Sequence, residues 1–129
     1  MTAAGRESHI ELTLVDRPGA TRELREAIDR VAEPFGLSPA DRFDLKLAAT
    51  EAVTNALKSD SGNQVAVILE ARPDALAVEV ATTGRFEQQP SRGDEGGRGI
   101  PLMLALVDRI EFAQSGQGTR VRMQKRIAA

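Results

Sequence analysis

The chain has 129 residues, 41% of them hydrophobic and 28% charged, enough for one domain with its own core and too few to suggest two. Seventeen basic side chains against nineteen acidic ones leave a formal charge of −2, which removes the electrostatic case for binding duplex nucleic acid or an anionic membrane. The lack of Trp, Tyr and Cys excludes disulfides, thiolate metal sites and cysteine nucleophiles, and leaves only four Phe for base stacking.

Residues 1–7 are small and polar and are expected to be disordered. They carry no apolar signal core, and no later apolar run approaches the roughly 20 residues of a membrane span. A cytoplasmic protein without membrane or direct nucleic-acid partners is the expectation. Ile10, Leu12 and Leu14 then alternate with polar residues as a half-buried strand does. The single histidine, His9, lies at its edge and reads as a surface residue, so a histidine triad or zinc site has almost nothing to be built from.

The turn Asp16-Arg17-Pro18-Gly19 ends that strand, and the spacing of Leu24, Ala27, Ile28 and Val31 predicts a helix closed by Pro34 and Gly36. Ser38-Pro39-Ala40-Asp41 reads as an N-cap, a proline at the first helical position and an acid at the third, opening a long helix to about Lys58. Residues 59–63 break it. Two β-like runs, Val65–Glu70 and Leu76–Ala81, flank the turn Arg72-Pro73-Asp74. Thr82–Arg98 has five glycines or prolines and little apolar content, which predicts a long loop without order of its own. Ile100–Val107 reads as a short buried helix, and Ile110–Ala113 and Thr119–Ile127 as a closing hairpin.

The order β-α-α-β-β-α-β-β predicts an α+β two-layer sandwich, a mostly antiparallel sheet with helices on one face, in a single domain spanning 1–129. On the last strand, Arg120, Arg122, Gln124 and Arg126 share one face. They would either dock an acidic partner or protect a solvated strand from aggregation.

Chemistry concentrates in two stretches. In Thr50-Glu51-Ala52-Val53-Thr54-Asn55, Glu51 and Asn55 lie one helical turn apart with Lys58 a turn further on, while Leu45, Ala49, Ala52, Val53 and Ala56 supply a buried side. That stripe is either an ordinary solvated one with a Glu–Asn hydrogen bond or one that faces a ligand. Gly93-Asp94-Glu95-Gly96-Gly97-Arg98-Gly99 runs into a helix, a glycine-rich turn or a phosphate cradle made of free amides. It is neither a Walker A loop nor a dinucleotide fingerprint.

The succession E-A-V-T-N-A, a strand ending in T-T-G-R-F, then G-G-R-G-I-P-L-M, then G-T-R-V-R-M resembles the histidine-kinase-like (GHKL) ATPase domain. It looks most like the branch of small bacterial anti-sigma-factor serine/threonine kinases, over nearly the whole chain. The resemblance implies ATP and Mg2+ as cofactors. Asn55 would hold the metal at the phosphates and Glu51 would be the catalytic base. Gly97, Arg98 and Gly99 would form the phosphate-facing lid, with Lys58 able to approach a phosphate. Gly84 would pack on the adenine, and Thr119 would bond near it.

Two positions depart from the family pattern. Thr82 stands where an aspartate usually accepts the adenine amino group, and Lys58-Ser59 where many relatives carry a histidine. The expected function is to sequester a sigma factor or similar target and to phosphorylate Ser/Thr of an anti-anti-sigma antagonist protein, with a homodimer expected from the family. The alternative is a degenerate, non-catalytic member that sequesters its partner without ATP. A detached histidine-kinase catalytic domain ranks last, since no phospho-acceptor histidine helix is present.

Overall fold

The computed structural model describes residues 8–59, 64–82, 96–115 and 118–127, without the side chains of 59, 96–100 and 115. The expected disorder of 1–7 and the loop from 83 to 95, with Gly84, lie outside the described residues.

Strand β1 (Ser8–Val15) leads through Gly19 into helix α1 (Ala20–Ala32), which ends in a 3-10 turn (Glu33–Phe35). At Gly36 the backbone turns left-handed, φ 79°, a conformation that favours glycine and stops the helix. Helix α2 (Pro39–Ser59) follows, and the Ser38 hydroxyl accepts a hydrogen bond from the Asp41 amide at 3.1 Å, so the predicted cap forms. The hairpin β2 (Gln64–Arg72) and β3 (Ala75–Thr82) turns on Pro73-Asp74. Helix α3 (Gly96–Leu106) and the hairpin β4 (Arg109–Ser115) and β5 (Gly118–Arg126) complete the chain.

The strands form one sheet in the order β1-β2-β3-β5-β4, and every neighbouring pair is antiparallel. The three helices lie on one face. The inward alternation Leu14, Val65, Val67, Leu69, Leu76, Val78, Val80, Val121 and Met123 meets the buried sides of α1 and α2. In α2 that side is Leu45, Ala48, Ala49, Ala52, Val53 and Ala56, all at 0% exposure, so a helix with small residues underneath lies close against the sheet.

The predicted α3 is corrected in two ways. It begins at Gly96 rather than Ile100, which puts Gly97, Arg98 and Gly99 in its first turn instead of a preceding loop. It is not a buried helix either: Met103 is fully enclosed while Leu104 stays 54% exposed, because α3 packs mainly against α2 and only slightly against β4.

The outer face carries paired charges. Arg122 reaches Glu70 at 2.8 Å and Glu79 at 3.5 Å, and Arg120 reaches Glu79 at 3.3 Å. Of the two readings of the basic face, a charge-matched solvated sheet is the one these pairs favour. His9 joins the same cluster, Nε2 at 2.9 Å from Glu11 and Nδ1 at 3.6 Å from Glu70. The hydrogen bond to Glu11 raises the His9 pKa above 6.5, with both carboxylates adding to it, while the Arg122 hydrogen bond holds Glu70 below the usual carboxylate range.

Two predictions follow from these contacts. Leu69→Ala opens a cavity in the middle of the sheet and should cost about 2–5 kcal/mol in urea unfolding. His9 has a raised folded pKa, so its contribution is complete below 6.5 and is lost as pH rises through the higher folded value. Urea midpoints should therefore fall slightly across that window in the intact protein, and His9→Asn should remove the slope.

Candidate nucleotide site

Chain connectivity places the site before any side chain is considered. Gln64, a few residues after α2 ends, opens β2 at the sheet end where Ala66 pairs with Ala81 and Thr82 with Thr119. The C-terminal half of α2, with Glu51 and Asn55, therefore lies toward that end. The first half of α2 lies toward the other, where Asp41 and Asp44 approach Lys125 near the close of β5.

At 100° per residue, Asp44, Glu51 and Asn55 fall within an arc of about 40° on α2. Asp44 meets Lys125, whose ammonium also donates to the last carbonyl of α3, Leu106 O, at 2.7 Å. The Glu51–Asn55 stripe thus looks along the seam between α2 and α3, which pack directly together. Both residues are half-buried. Among the described residues neither the Glu51 carboxylate nor the Asn55 amide is engaged in a hydrogen bond or ion pair. The Glu–Asn hydrogen bond expected of an ordinary surface stripe is not made.

The glycine run contributes backbone. With α3 starting at Gly96, the amides of residues 96–99 precede any intrahelical acceptor, and they sit at the positive end of the helix dipole. Pro101 has no N–H to offer the Gly97 carbonyl, which loosens the same turn. Gly97, Arg98 and Gly99 are placed here as backbone only.

At the strand ends Thr82 and Thr119 face each other in register, 7% and 2% exposed, both pointing to the helix side. Gly118, at φ 135°, makes the turn that delivers Thr119 to this position. Gln114 on β4 lies opposite Thr119 and its amide donates to the Thr119 hydroxyl at 3.5 Å. These residues, with Arg120, line a cleft of about 200 Å3. Among the described residues no carboxylate lines it, and Thr82 itself brings a hydroxyl where the family pattern has an aspartate. Gln114 was not evident from sequence. Its only signal is an inward position on the last hairpin.

Lys58 is brought elsewhere. It is exposed and lines a different cleft, about 420 Å3, with Arg17, Gly19, Thr21, Thr54 and Leu57 at the start of α1. The structure thus assembles Glu51, Asn55, Thr82, Thr119 and the start of α3 around one end of the sandwich and leaves Lys58 on its flank.

Magnesium suits this donor set. Asn55 offers an amide oxygen, unengaged among the described residues, and the ion prefers one or two protein oxygens beside phosphate and water, with the Glu51 carboxylate left one turn away. No cluster of three or more His, Cys, Asp or Glu occurs among the described residues, so a closed protein cage is not the kind of site present there.

An antiparallel sheet covered on one face, with a polar stripe on its central helix and a glycine-started helix alongside, defines an α+β sandwich of the histidine-kinase ATPase type. A family model described as the histidine kinase-like ATPase domain matches residues 14–125, and the chain belongs to that family. The Serine-protein kinase RsbW of Bacillus velezensis is 32% identical over 91% of this chain and 84% of that protein. RsbW of Bacillus subtilis is 31% identical over the same shares.

Among solved structures, the RsbU and RsbW domains of a Mycobacterium tuberculosis protein align with a TM-score of 0.72 at 18% identity. That alignment covers 92% of this chain and 32% of the longer one. The histidine kinase domain of a blue-light activated kinase from Erythrobacter litoralis aligns at 0.50 and 21%, over 83% of this chain and 59% of that one. At these identities the two structures speak for the fold alone. No helix among the described residues is long and apolar enough to cross a membrane.

Since Glu51 and Asn55 hold nothing in place among the described residues, Glu51→Ala and Asn55→Ala should each shift stability by no more than about 0.5 kcal/mol in urea unfolding. A loss above about 2 kcal/mol would assign the pair to the architecture instead.

Proposed function

We propose that the protein is a cytoplasmic, single-domain anti-sigma regulator that binds Mg-ATP, sequesters a sigma factor or similar target, and phosphorylates a serine or threonine of an antagonist protein. The observation that carries this reading is the Glu51–Asn55 pair on the α3-facing stripe of α2, unengaged among the described residues. A helix built for packing has no use for two half-buried polar groups that no other described residue engages, and a ligand between the two helices would engage them. The RsbW relatives, named serine-protein kinases, support the same activity, and a homodimer is consistent with it.

In this reading the phosphates lie against the amides of the first turn of α3, which have no acceptor within the helix, and the base lies at the Thr82–Thr119 end of the sheet. Asn55 would hold a magnesium ion through its amide oxygen. When bound, magnesium neutralises charge on the β- and γ-phosphoryl oxygens. Glu51 accepts the proton of the incoming hydroxyl as that oxygen bonds to the γ-phosphorus. The bond to the β-bridging oxygen breaks, and ADP leaves with the electron pair.

A second reading, partner sequestration without nucleotide, is favoured by one feature. Thr82 brings a neutral hydroxyl to the base end of the site, which forfeits a charge-assisted contact to adenine.

Calorimetric titration of ATP into wild type and Asn55→Ala, with and without magnesium, separates the two. The kinase reading expects magnesium-dependent binding that Asn55→Ala weakens at least about tenfold, and Glu51→Gln to keep binding while phosphate transfer to a cognate antagonist falls about 100-fold or more. Partner binding indifferent to ATP and to Asn55→Ala, with no nucleotide bound at millimolar concentration, would establish the sequestering module.

A further inference from the structure

Lys125 is the one inward-facing charge on β5, between Met123 and Ile127, and is only 9% exposed. Its ammonium donates to Leu106 O at 2.7 Å and lies 3.5 Å from Asp44 Oδ2 and 3.8 Å from Asp41 Oδ1. Three elements therefore meet at one nitrogen: the closing strand, the last carbonyl of α3, and the first turns of α2. A cation at a helix C-terminus satisfies an orphan carbonyl and opposes the negative end of the dipole. A packing role alone would be met by an apolar residue, which needs no partners in this layer.

We infer that Lys125 is a positioning residue: it anchors α3 by its C-terminal end against α2, and so sets where the glycine amides at the other end of α3 stand relative to Glu51 and Asn55. The inference rests on the Mg-ATP reading above for its functional consequence, and on contacts independent of it for the anchor. Leverage explains why the effect reaches the site. From Leu106 back to Gly96 is about 15 Å of helix, and from Asp44 forward to Asn55 about 16 Å, so both helices lead away from the Lys125 contact over similar distances. A helix pinned at one end and started by flexible glycines swings most at the glycine end. Arginine keeps the charge and the donors, whereas methionine keeps the volume and removes both.

The test compares wild type, Lys125→Met and Lys125→Arg in amide exchange and in calorimetric titrations with Mg-ATP and with adenosine. Lys125→Met should speed exchange across α3 without changing β1 or β2, weaken Mg-ATP about tenfold, and leave adenosine within about twofold of wild type, since only the phosphates depend on the start of α3. Lys125→Arg should recover most of the Mg-ATP affinity. Unchanged exchange in α3 would overturn the anchor. A parallel loss of adenosine and Mg-ATP would overturn the positioning role, because general loosening of the fold weakens both. If wild type binds no Mg-ATP, the nucleotide reading fails and the functional half of the inference with it, and amide exchange still decides the anchor.

Discussion

The architecture depends on how closely α2 can approach the sheet. Its underside is largely alanine, with Ala48, Ala49, Ala52 and Ala56 wholly enclosed over the valines of β2 and β3 and over Val121 and Met123 of β5. Small side chains let the helix settle low and span the sheet from the Lys125 end to the Thr82 end. Once it is seated, its faces are assigned. One flank meets α1 through Lys46 and Asp29 at 3.0 Å, and the other meets α3. Glu51 and Asn55 remain on the α3 flank, half-buried by position and without a partner of their own among the described residues.

Charge is distributed by the same layering. The outer face of the sheet has no helix over it among the described residues, and its arginines and glutamates pair across strands where water still screens them, so each pair adds little and together they keep the face soluble. Among the described residues the inner layer admits one strand-borne charge, Lys125, and surrounds it with a carbonyl and two carboxylates. Glu51 and Asn55, which no other described residue engages, lie on the flank of α2 that α3 packs against.

Much of this was legible beforehand. The period-2 runs of β1, β2, β3 and β5, the helical spacing of Leu24 to Val31, and the Ser38-Pro39 start of α2 are local signals, set by side-chain alternation and capping chemistry that act within a few residues. The family was legible for the same reason, since its motifs are short runs at the ends of those elements. The start of α3 was misplaced because glycines read as loop by propensity, whereas packing of the following Met103 against α2 extends the helix back through them. The exposure of Leu104 escaped notice because an apolar run does not reveal how many neighbours a helix will have.

The amino-acid sequence by itself determined the element order, the sandwich class, the buried side of α2 and the Glu51–Asn55 pairing on one turn, all consequences of spacing along a single element. Tertiary structure alone decided that this stripe faces α3, that Lys58 stands apart in another cleft, that Gln114 joins Thr82 and Thr119, and that Lys125 closes the far end of the α2–α3 seam. Those are relations between elements distant in the chain, set by sheet register and by helix packing, and no local periodicity encodes them.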